Sequence, residues 1–434
     1  MKPAPPPAAA PASRSFWRYL IRPAHVVLIV SVMVTVQFLE HWGWLDAPSA
    51  ALLDSFYILT QGDEASRVVI VEITEDDYRQ VFHETSPLDP RLLSQLMKTI
   101  AVFRPSAIGV DIDTSASAFD GIEPRAEGVA VVWAVGARPG HDLTGGSSDP
   151  AAAGVLNPLH REEPELVLDP VLGRAWTDSV PAGLSVFALD SDNTVRRYSR
   201  SYRVVAPNGQ PRTMETLPAV LCRASSDTRS TAPAHAERPV LIRFPRATVV
   251  APRIPASFVL HAASEHAKNP EQPWPKLMDR FRDHVVLMGG TYGAARDSFA
   301  TPRGRMSGVD LMAAAVETEL AGGGINDTQR AAMVVLDLGL AVLLIYFGFT
   351  LRIGLMLAGG IGVVAVATAV SLFAFSSGLV WMNTIPLLVA VLLHQWGHRM
   401  SESRHRQARS TDRANTMPAA RSRSRVPHRP GRKR

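Results

Sequence analysis

The sequence predicts an extracytoplasmic α/β domain, built on a mostly parallel sheet flanked by helices, together with four transmembrane α-helices. Three observations lead to this fold class. Short β-branched runs alternate with amphipathic segments in the middle of the chain, four apolar runs flank that middle part, and basic residues concentrate at both ends. The single cysteine, Cys222, excludes an intrachain disulfide, so a packed core must stabilise the domain.

The N-terminal region combines a basic arm with the first apolar run. Residues 1–23 are rich in proline and alanine and carry no acid, so we expect a disordered cytoplasmic arm. Residues 24–39 form the first predicted transmembrane helix, and Trp42 and Trp44 follow it where interfacial aromatics belong. The alternative is a signal peptide cleaved near the small residues 47–51, but the polar residues before them favour a retained anchor.

Three further apolar runs lie near the C-terminus. They cover residues 331–349, 353–375 and 378–396, and each approaches the ~20 residues that cross a bilayer. The basic residues 397–434 after them predict a disordered cytoplasmic tail. Counting spans from either basic end places both termini in the cytoplasm and residues 40–330 outside.

Some residues inside these runs are candidates for more than anchoring. Asp337 lies in the second predicted span, where an ionisable side chain is a functional candidate, here for signal transmission, although headgroup solvation near the outer end would also explain it. Gly354, Ala358 and Gly362 repeat every four positions and can seat another helix, either in the bundle or in a homodimer.

The middle of the chain begins with a strand, a helix and a strand. Residues 67–73 and 105–113 are the strands and residues 90–103 have helical apolar spacing, so the unit predicts a parallel pair of strands. The other predicted elements, in chain order, are a strand at 128–136, a hairpin at 183–205, a strand at 238–244, a strand at 284–288 and a helix at 308–322 that leads almost directly into the second span. Gly308 begins that helix and is a second candidate for signal transmission.

Two carboxylates end the second strand. Asp111 and Asp113 lie where α/β domains bind ligands, at the carboxyl end of a strand. Such oxygens suit Mg²⁺, with Asp76, Asp77 and Asp297 as candidate further ligands. Solvated acids at the end of a strand give the same pattern, so ligand binding without a metal remains open.

The glycine-rich loop GGTYGAARD follows the last predicted strand. Gly290 would let backbone N–H groups approach an anion, with Arg296 as its partner and Asp297 as the carboxylate that orients Arg296. No Lys-Ser/Thr pair follows, so the loop is not a Walker motif, and a simple glycine turn is the alternative.

The stretch DSDNTVRRY, starting at Asp190, is better interpreted as a hairpin turn than as a calcium loop, because it lacks the spaced ligands of an EF-hand. The histidines are scattered, and Cys222 lies in a predicted helix. No Ser–His–Asp or Cys–His constellation can be assembled, so we expect neither catalysis nor a cofactor.

Five segments resemble the CHASE2 domain in order and approximate spacing. They are VVIVEITEDDY, FRPSAIGVDIDTSA, FALDSDNTVRRYSRSYRV, LIRFPRATVVAPRIPASFVL and VVLMGGTYGAARDSFATPRGRMSGVDLMAAAVETELAGGGI. The resemblance covers roughly residues 50–325 and implies an extracytoplasmic sensor domain of a bacterial transmembrane receptor. It also implies that Asp111 and Asp297 matter, through hydrogen bonds that fix loops. The final helix departs from the family pattern, with residues 312–314 reading Met-Ala-Ala in place of an HAN-like triplet.

The resemblance implies a multi-pass protein of the bacterial inner (cytoplasmic) membrane that recognises an unknown extracytoplasmic ligand. Family members usually continue into a cyclase or kinase, whereas 38 residues follow the last predicted span here, so we expect a separate cytoplasmic signalling protein. The basic tail lacks aromatic residues, which argues against nucleic acid and favours anionic lipid. The alternatives are a periplasmic metal-dependent hydrolase and a non-enzymatic membrane scaffold.

Overall fold

A computed structural model describes residues 23–60, 66–126, 128–139, 155–156, 166–175, 177, 179–206, 209–225, 239–245, 251–295, 297–327, 339, 343, 353–378 and 380–416. The chain divides into two compact units. A helical unit comprises Met1–Trp44, Val334–Val366 and Thr384–Arg434. An α/β unit comprises Leu45–Met333 and Ala367–Asn383.

The strands are β1 (Val68–Ile73), β2 (Ala107–Asp111), β3 (Val131–Val135), β4 (Ala137–Pro139), β5 (Val155–Leu156), β6 (Leu166–Leu168), β7 (Ala182–Leu184), β8 (Phe187–Ala188), β9 (Arg197–Tyr198), β10 (Ser201–Val205), β11 (Pro211–Glu215), β12 (Val240–Leu241), β13 (Arg253–Pro255), β14 (Val285–Gly290), β15 (Ser298–Thr301), β16 (Gly304–Ser307), β17 (Asn326–Asp327) and β18 (Val380–Trp381). The α-helices are α1 (Pro23–His41), α2 (Asp46–Leu59), α3 (Glu75–Gln80), α4 (Pro90–Val102), α5 (Leu217–Ala224), α6 (Ala256–Lys268), α7 (Gly308–Leu320), α8 (Ile353–Ser376) and α9 (Ile385–Thr416). Single turns of 3-10 helix lie at Ser117–Phe119 and Gly293–Ala295, and a longer one at Lys276–Phe281.

The central sheet of the α/β unit is parallel throughout. Its strand order is β13-β1-β14-β2-β3-β7, and every neighbouring pair is parallel. The β-branched run of β1 is almost wholly buried because helices cover both faces of the sheet. The predicted fold class of this part is therefore confirmed.

Alternate side chains of the strands enter two cores. Val69 and Val71 of β1 belong to one core with α4 and α6, whereas Val68 and Ile70 belong to the other with α5 and α7. Local sequence also starts the helices, since Asp89 accepts a hydrogen bond from the Arg91 amide at the start of α4.

Smaller sheets surround the central one. One has the order β11-β10-β6-β4, another has the order β12-β9-β8-β5, and β15 pairs with β16 as a hairpin. The predicted hairpin at 183–205 is present only in its centre, where β8 and β9 pair antiparallel across the turn Asp190–Asn193. Strand β7 joins the central sheet, β8 pairs with β9, and β10 pairs with β11, because β10 finds its long partner after the chain turns at Gly209.

The region after the first apolar run contains a helix that the sequence analysis did not predict. Helix α2 buries Ser49, Leu53, Phe56 and Tyr57, and its last three members belong to the core that contains α5 and α7. Its apolar spacing is masked by the alanines and prolines around it, which suggest a cleavage site.

The end of the chain also differs from prediction. The last long helix, α9, begins at Ile385 instead of residue 378 and continues to Thr416, so residues 397–416 of the predicted disordered tail are helical. Proline suits the first turn of a helix, and Pro386 occupies that place. The residues before it form a turn that contains β18, which pairs with β17.

Within the described residues, one helix is long and apolar enough to cross a membrane, and it covers Ala358–Ser376. A second span results if Val27–His41 and Asp46–Leu59 together form one bent span, and the apolar helix Ile385–Gly397 is shorter. The four predicted spans are thus supported only in part. The second predicted span, including Asp337, lies outside the described residues except for Gly339 and Leu343.

Candidate functional site

The carboxyl ends of the central strands meet at one edge of the sheet, which we call the carboxyl edge. In the register of the sheet, Gly289 of β14 lies between Glu72 of β1 and Asp111 of β2. Parallel strands bring their carboxyl ends together, so residues far apart in sequence face the same space. The predicted residues Asp111 and Gly290 therefore lie at the same edge.

Two carboxylates at the carboxyl edge have raised pKa values. Burial raises the pKa of Asp111 to about 6, and the Ser185 hydroxyl opposes that shift by donating a hydrogen bond to Oδ1 at 2.8 Å. Burial also raises the pKa of Asp297 to about 7, with the charge of Asp111 as a further cause. These two acids interact and change protonation near neutral pH.

Asp297 lies directly against the beginning of α7. The β15–β16 hairpin returns the chain so that the Gly308 amide donates to the Asp297 carbonyl at 3.0 Å. The Asp297 carboxylate occupies the space that a Cβ at position 308 would need. Only glycine permits this approach, so the predicted residues Asp297 and Gly308 form one contact.

A second polar group ties the same end of α7 to the sheet. The Arg253 guanidinium bridges Glu72 at 3.0 Å and Asp310 at 2.6 Å. The Thr291 hydroxyl donates to Glu72 at 2.6 Å, and Ser307 accepts from the Asp310 amide as the helix cap. Strands β1 and β13 and the loop after β14 thus all fix where α7 begins.

The glycine-rich loop is closed by aromatic and backbone contacts. The Tyr78 and Tyr292 rings stack with centroids 4.2 Å apart. The Gly293 amide donates to Glu75 Oε2 at 2.8 Å, and Tyr292 occupies the space beside Gly290. Arg296, the predicted anion partner, lies outside the described residues.

The predicted further metal ligands do not converge. Asp76 and Asp77 lie in the short helix α3 rather than in a loop, and Asp76 is exposed. Asp77 completes a capping box with Thr74 and also accepts a hydrogen bond from the Ala256 amide at 3.2 Å. Its oxygens therefore already bind backbone amides. Asp113 is exposed and accepts from the Ser115 amide at 2.9 Å.

Within the described part of the chain, no group of three or more His, Cys, Asp or Glu side chains is placed to hold a metal ion.

The opposite end of α7 carries three polar residues in succession. Glu317 accepts hydrogen bonds from the amides of Arg67 at 2.6 Å and Val68 at 2.8 Å, where β1 begins. Glu319 is buried and pairs with Arg200 and with the Tyr198 hydroxyl. Burial, followed by the charge of Glu319, raises the pKa of Tyr198 well above its usual value, so its phenol stays protonated.

The turn Asp190–Asn193 has a cation partner within the protein. Arg196 is only 1% exposed and pairs with Asp54 at 2.8 Å, Asp190 at 3.0 Å and Asp192 at 2.7 Å. These aspartates neutralise a buried guanidinium, which supports the turn interpretation over the calcium loop. Because Asp54 belongs to α2, the same cluster fastens α2 to the turn.

Residues 240–244, which we call the junction segment, contact three parts of the chain next to apolar helices. The Tyr57 hydroxyl of α2 donates to the Ile242 carbonyl at 2.9 Å. The Arg243 amide donates to the Thr318 hydroxyl of α7 at 3.0 Å, and its guanidinium donates to the Gly378 carbonyl at 3.0 Å in the turn after α8. Gly378 has a φ of +67°, and the Arg243 guanidinium fills the space a Cβ would take.

Comparison with known protein families identifies the family of this chain. The model of the CHASE2 domain matches residues 26–356. The chain belongs to the CHASE2 domain family. CHASE2 is a sensor domain of signal-transduction receptors and forms their extracytoplasmic part. No curated protein and no solved structure matches this chain.

The CHASE2 match runs from α1 through the α/β unit to the beginning of α8. It thus includes both the carboxyl edge and the residues at the far end of α7. The sequence analysis missed several residues of these two places, namely Glu72, Ser185, Arg200, Arg253 and Glu319, and it also missed Arg196 in the turn cluster. Glu72 had a usable signal, because it is the one charged residue in the apolar strand VVIVEI.

Proposed function

We propose that this CHASE2 protein is a membrane-anchored extracytoplasmic sensor. It binds a ligand or responds to an envelope signal at the carboxyl edge and relays that state through its C-terminal helices to a separate cytoplasmic partner. It acts by binding and not by catalysis. The observation that carries the proposal is α7, whose first residue contacts Asp297 and whose Thr318 contacts the junction segment.

The carboxyl edge supplies the input. Asp111, Asp297 and the exposed Asp113 offer carboxylate oxygens, so the edge favours a ligand that donates hydrogen bonds or carries positive charge. A ligand that stabilises the charged form of Asp297 would change its contact with Gly308. Gly290 shapes the adjoining loop.

The relay runs along α7. This helix is buried along nearly its whole length, so it moves with its neighbours or not at all. Its C-terminal end is held by Glu317, Thr318 and Glu319, and β17 follows within a few residues. A displacement at Gly308 therefore reaches the junction segment, and the proposed relay would continue from there to the second predicted span, where Asp337 lies.

The turn between α8 and α9 supports the proposed topology. Besides the Arg243–Gly378 hydrogen bond, Asn383 donates to the Ser49 hydroxyl at 2.9 Å, and β18 pairs with β17. A turn built into the α/β unit lies on the same side of the membrane as that unit. This agrees with four spans, an outer domain and two cytoplasmic termini in a bacterial inner membrane.

Cytoplasmic partners would meet the end of α9. Its residues 397–416 carry Arg399, Arg404, Arg406, Arg409 and Arg413, which suit anionic lipid near the bilayer. The same helical end would present a surface to a cytoplasmic signalling protein. A homodimer is part of the proposal, because paired helices transmit displacement more readily than an isolated one.

Hydrogen exchange of the full-length protein in lipid nanodiscs tests the relay. Asp297→Asn removes the charge beside Gly308, and we expect altered exchange both in the first turn of α7 and in the junction segment. Asp113→Asn is the matched control, since it removes an exposed carboxylate from the same edge. A change confined to the carboxyl edge in Asp297→Asn would refute the relay.

Native mass spectrometry of gently extracted protein addresses the partners. We expect a copurified small molecule that is lost in Asp111→Asn, and a bound cytoplasmic protein. Turnover of a substrate that disappears in Asp111→Asn would instead favour a hydrolase.

A further inference from the structure

Helix α2 has two faces of different chemistry. One face is buried in the α/β unit, where Tyr57 contacts Ile242, and the half-buried Asp54 beside that face pairs with Arg196. The other face is exposed, and Ile58 leaves 64% and Leu59 63% of its surface uncovered. The exposed residues at helical spacing are Ala47, Ala51, Ser55 and Ile58, none of which is charged.

The position of α2 beside α8 follows from the contacts of its buried face. The rings of Phe56 and Tyr57 contact Phe375 edge-on, with centroids 5.7 Å and 5.0 Å away. Phe375 is the last residue but one of the candidate span Ala358–Ser376. Near the other end of α2, Ser49 accepts from Asn383, two residues before α9 begins. Helix α2 therefore packs against the end of α8 and the turn that follows it.

We propose that the exposed face of α2 lies on the extracytoplasmic surface of the lipid bilayer, with Ala51 and Ile58 in contact with lipid. The inference rests on the proposed membrane placement of α8. An amphipathic helix at this depth buries its apolar face about 5–10 Å into the boundary between headgroups and acyl chains. Trp42 and Trp44, which precede α2 in the chain, are exposed by 64% and 72%, as expected of interfacial aromatics.

A bilayer fits this face better than a second copy of the chain. The exposed stripe spans a single 14-residue helix, and its members are mostly small. Stable protein interfaces bury about 800 Å² on each partner, which one such stripe does not supply. The face also has no basic residue, so contact with lipid depends on apolar burial rather than on anionic headgroups.

The proposed contact makes the membrane surface a second input to the domain. Asp54 lies one helical turn before Ile58 and Tyr57 directly precedes it, and they hold Arg196 and the junction segment. A change in lipid packing under α2 therefore reaches the same segment that receives α7. The junction segment would thus respond both to lipid contact at α2 and to ligand binding at the carboxyl edge.

Spin labels at single cysteines test the contact in full-length protein reconstituted in phosphatidylcholine nanodiscs. The native Cys222 is buried and is replaced by alanine, and a parallel series that keeps Cys222 controls for that change. Labels are placed by Ala51→Cys and Ile58→Cys on α2. Val370→Cys, on the exposed side of α8, is the lipid reference, and the exposed Glu84→Cys is the aqueous reference.

Collision rates with oxygen and with a nickel chelate distinguish lipid from water. We expect the ratio of oxygen to nickel collisions at positions 51 and 58 to exceed the ratio at position 84 several-fold and to approach that at position 370. A water-like ratio at position 58 with a lipid-like ratio at position 370 overturns the inference and leaves the proposed span intact. Protection from both reagents at position 58 also overturns it, because a protein then covers α2. A water-like ratio at position 370 refutes the membrane placement itself.

Discussion

The protonation of Asp297 should make the stability of this protein fall as the pH rises, and a single substitution should remove that dependence. Burial raises the pKa of Asp297 from its ordinary 3.8 to about 7, so the folded protein prefers the neutral acid. Stability from this preference is fully present below pH 3.8 and is lost as the pH rises through about 7. Asparagine has nearly the same shape and no charge, so Asp297→Asn should be more stable than the unaltered protein at pH 8.

The magnitude follows from the two pKa values. Each pKa unit corresponds to about 1.4 kcal/mol, so the charged Asp297 costs the fold about 4 kcal/mol at pH 8. At pH 4, where the folded state is protonated and the unfolded state is only about half ionised, the cost is below about 1 kcal/mol. For a domain of this size, about 4 kcal/mol corresponds to a rise in Tm of roughly 8 °C.

Thermal unfolding followed by tryptophan fluorescence measures the effect in detergent or nanodiscs. Trp133 is completely buried and its Nε1 donates to the Pro124 carbonyl at 3.0 Å, so its emission reports on the central core. We expect Asp297→Asn to raise Tm at pH 8 and to leave it nearly unchanged at pH 4. Asp113→Asn should shift neither value. An equal change at both pH values, or a lower Tm at pH 8, would refute the argument from burial.

Other substitutions address the two ends of the relay. Glu319→Gln leaves the buried Arg200 without its carboxylate, and we expect a loss of about 3–5 kcal/mol in chemical denaturation. Gly308→Ala introduces a Cβ into the space of the neighbouring carboxylate, and Tm should fall by an amount equivalent to about 1–3 kcal/mol. Asp54→Asn removes one of three carboxylates around Arg196, so amide exchange in α2 should accelerate.

An exposed ion pair serves as the control for these changes. Arg223 pairs with Glu215, and its side chain is 61% exposed. Solvent screens such a pair, so Arg223→Ala should change stability by less than about 1 kcal/mol. If Glu319→Gln were no more costly than Arg223→Ala, the buried pair would not hold the end of α7.

Hydrophobic periodicity predicted the elements that are buried on both faces or on one face along their whole length. The apolar runs of β1 and β14 are continuous because helices cover both faces, and α4 shows helical spacing because it covers only one. The position of the candidate site at the carboxyl edge was predicted by the same reasoning. Asp111 ends a strand and Asp297 lies in the loop after the last central strand, so a parallel sheet places both at one edge.

The sequence analysis missed elements whose composition does not reflect how they are buried. Helix α2 packs one face in the core and leaves the other exposed, and its alanines and prolines resemble those of a cleavage site. The start of α9 was placed too early because the turn before it is also apolar. That turn is buried against the α/β unit, so its composition does not differ from that of a span.

The sequence by itself determined the alternation of strands and helices, the apolar helices and the charge asymmetry, because each depends on neighbouring residues along the chain. Only the tertiary structure decided which charges meet. Asp54 pairs with Arg196 and Arg200 pairs with Glu319, although more than a hundred residues separate the members of each pair. Such pairs leave no local pattern, since a buried charge needs a partner in space and not at a fixed spacing in the sequence.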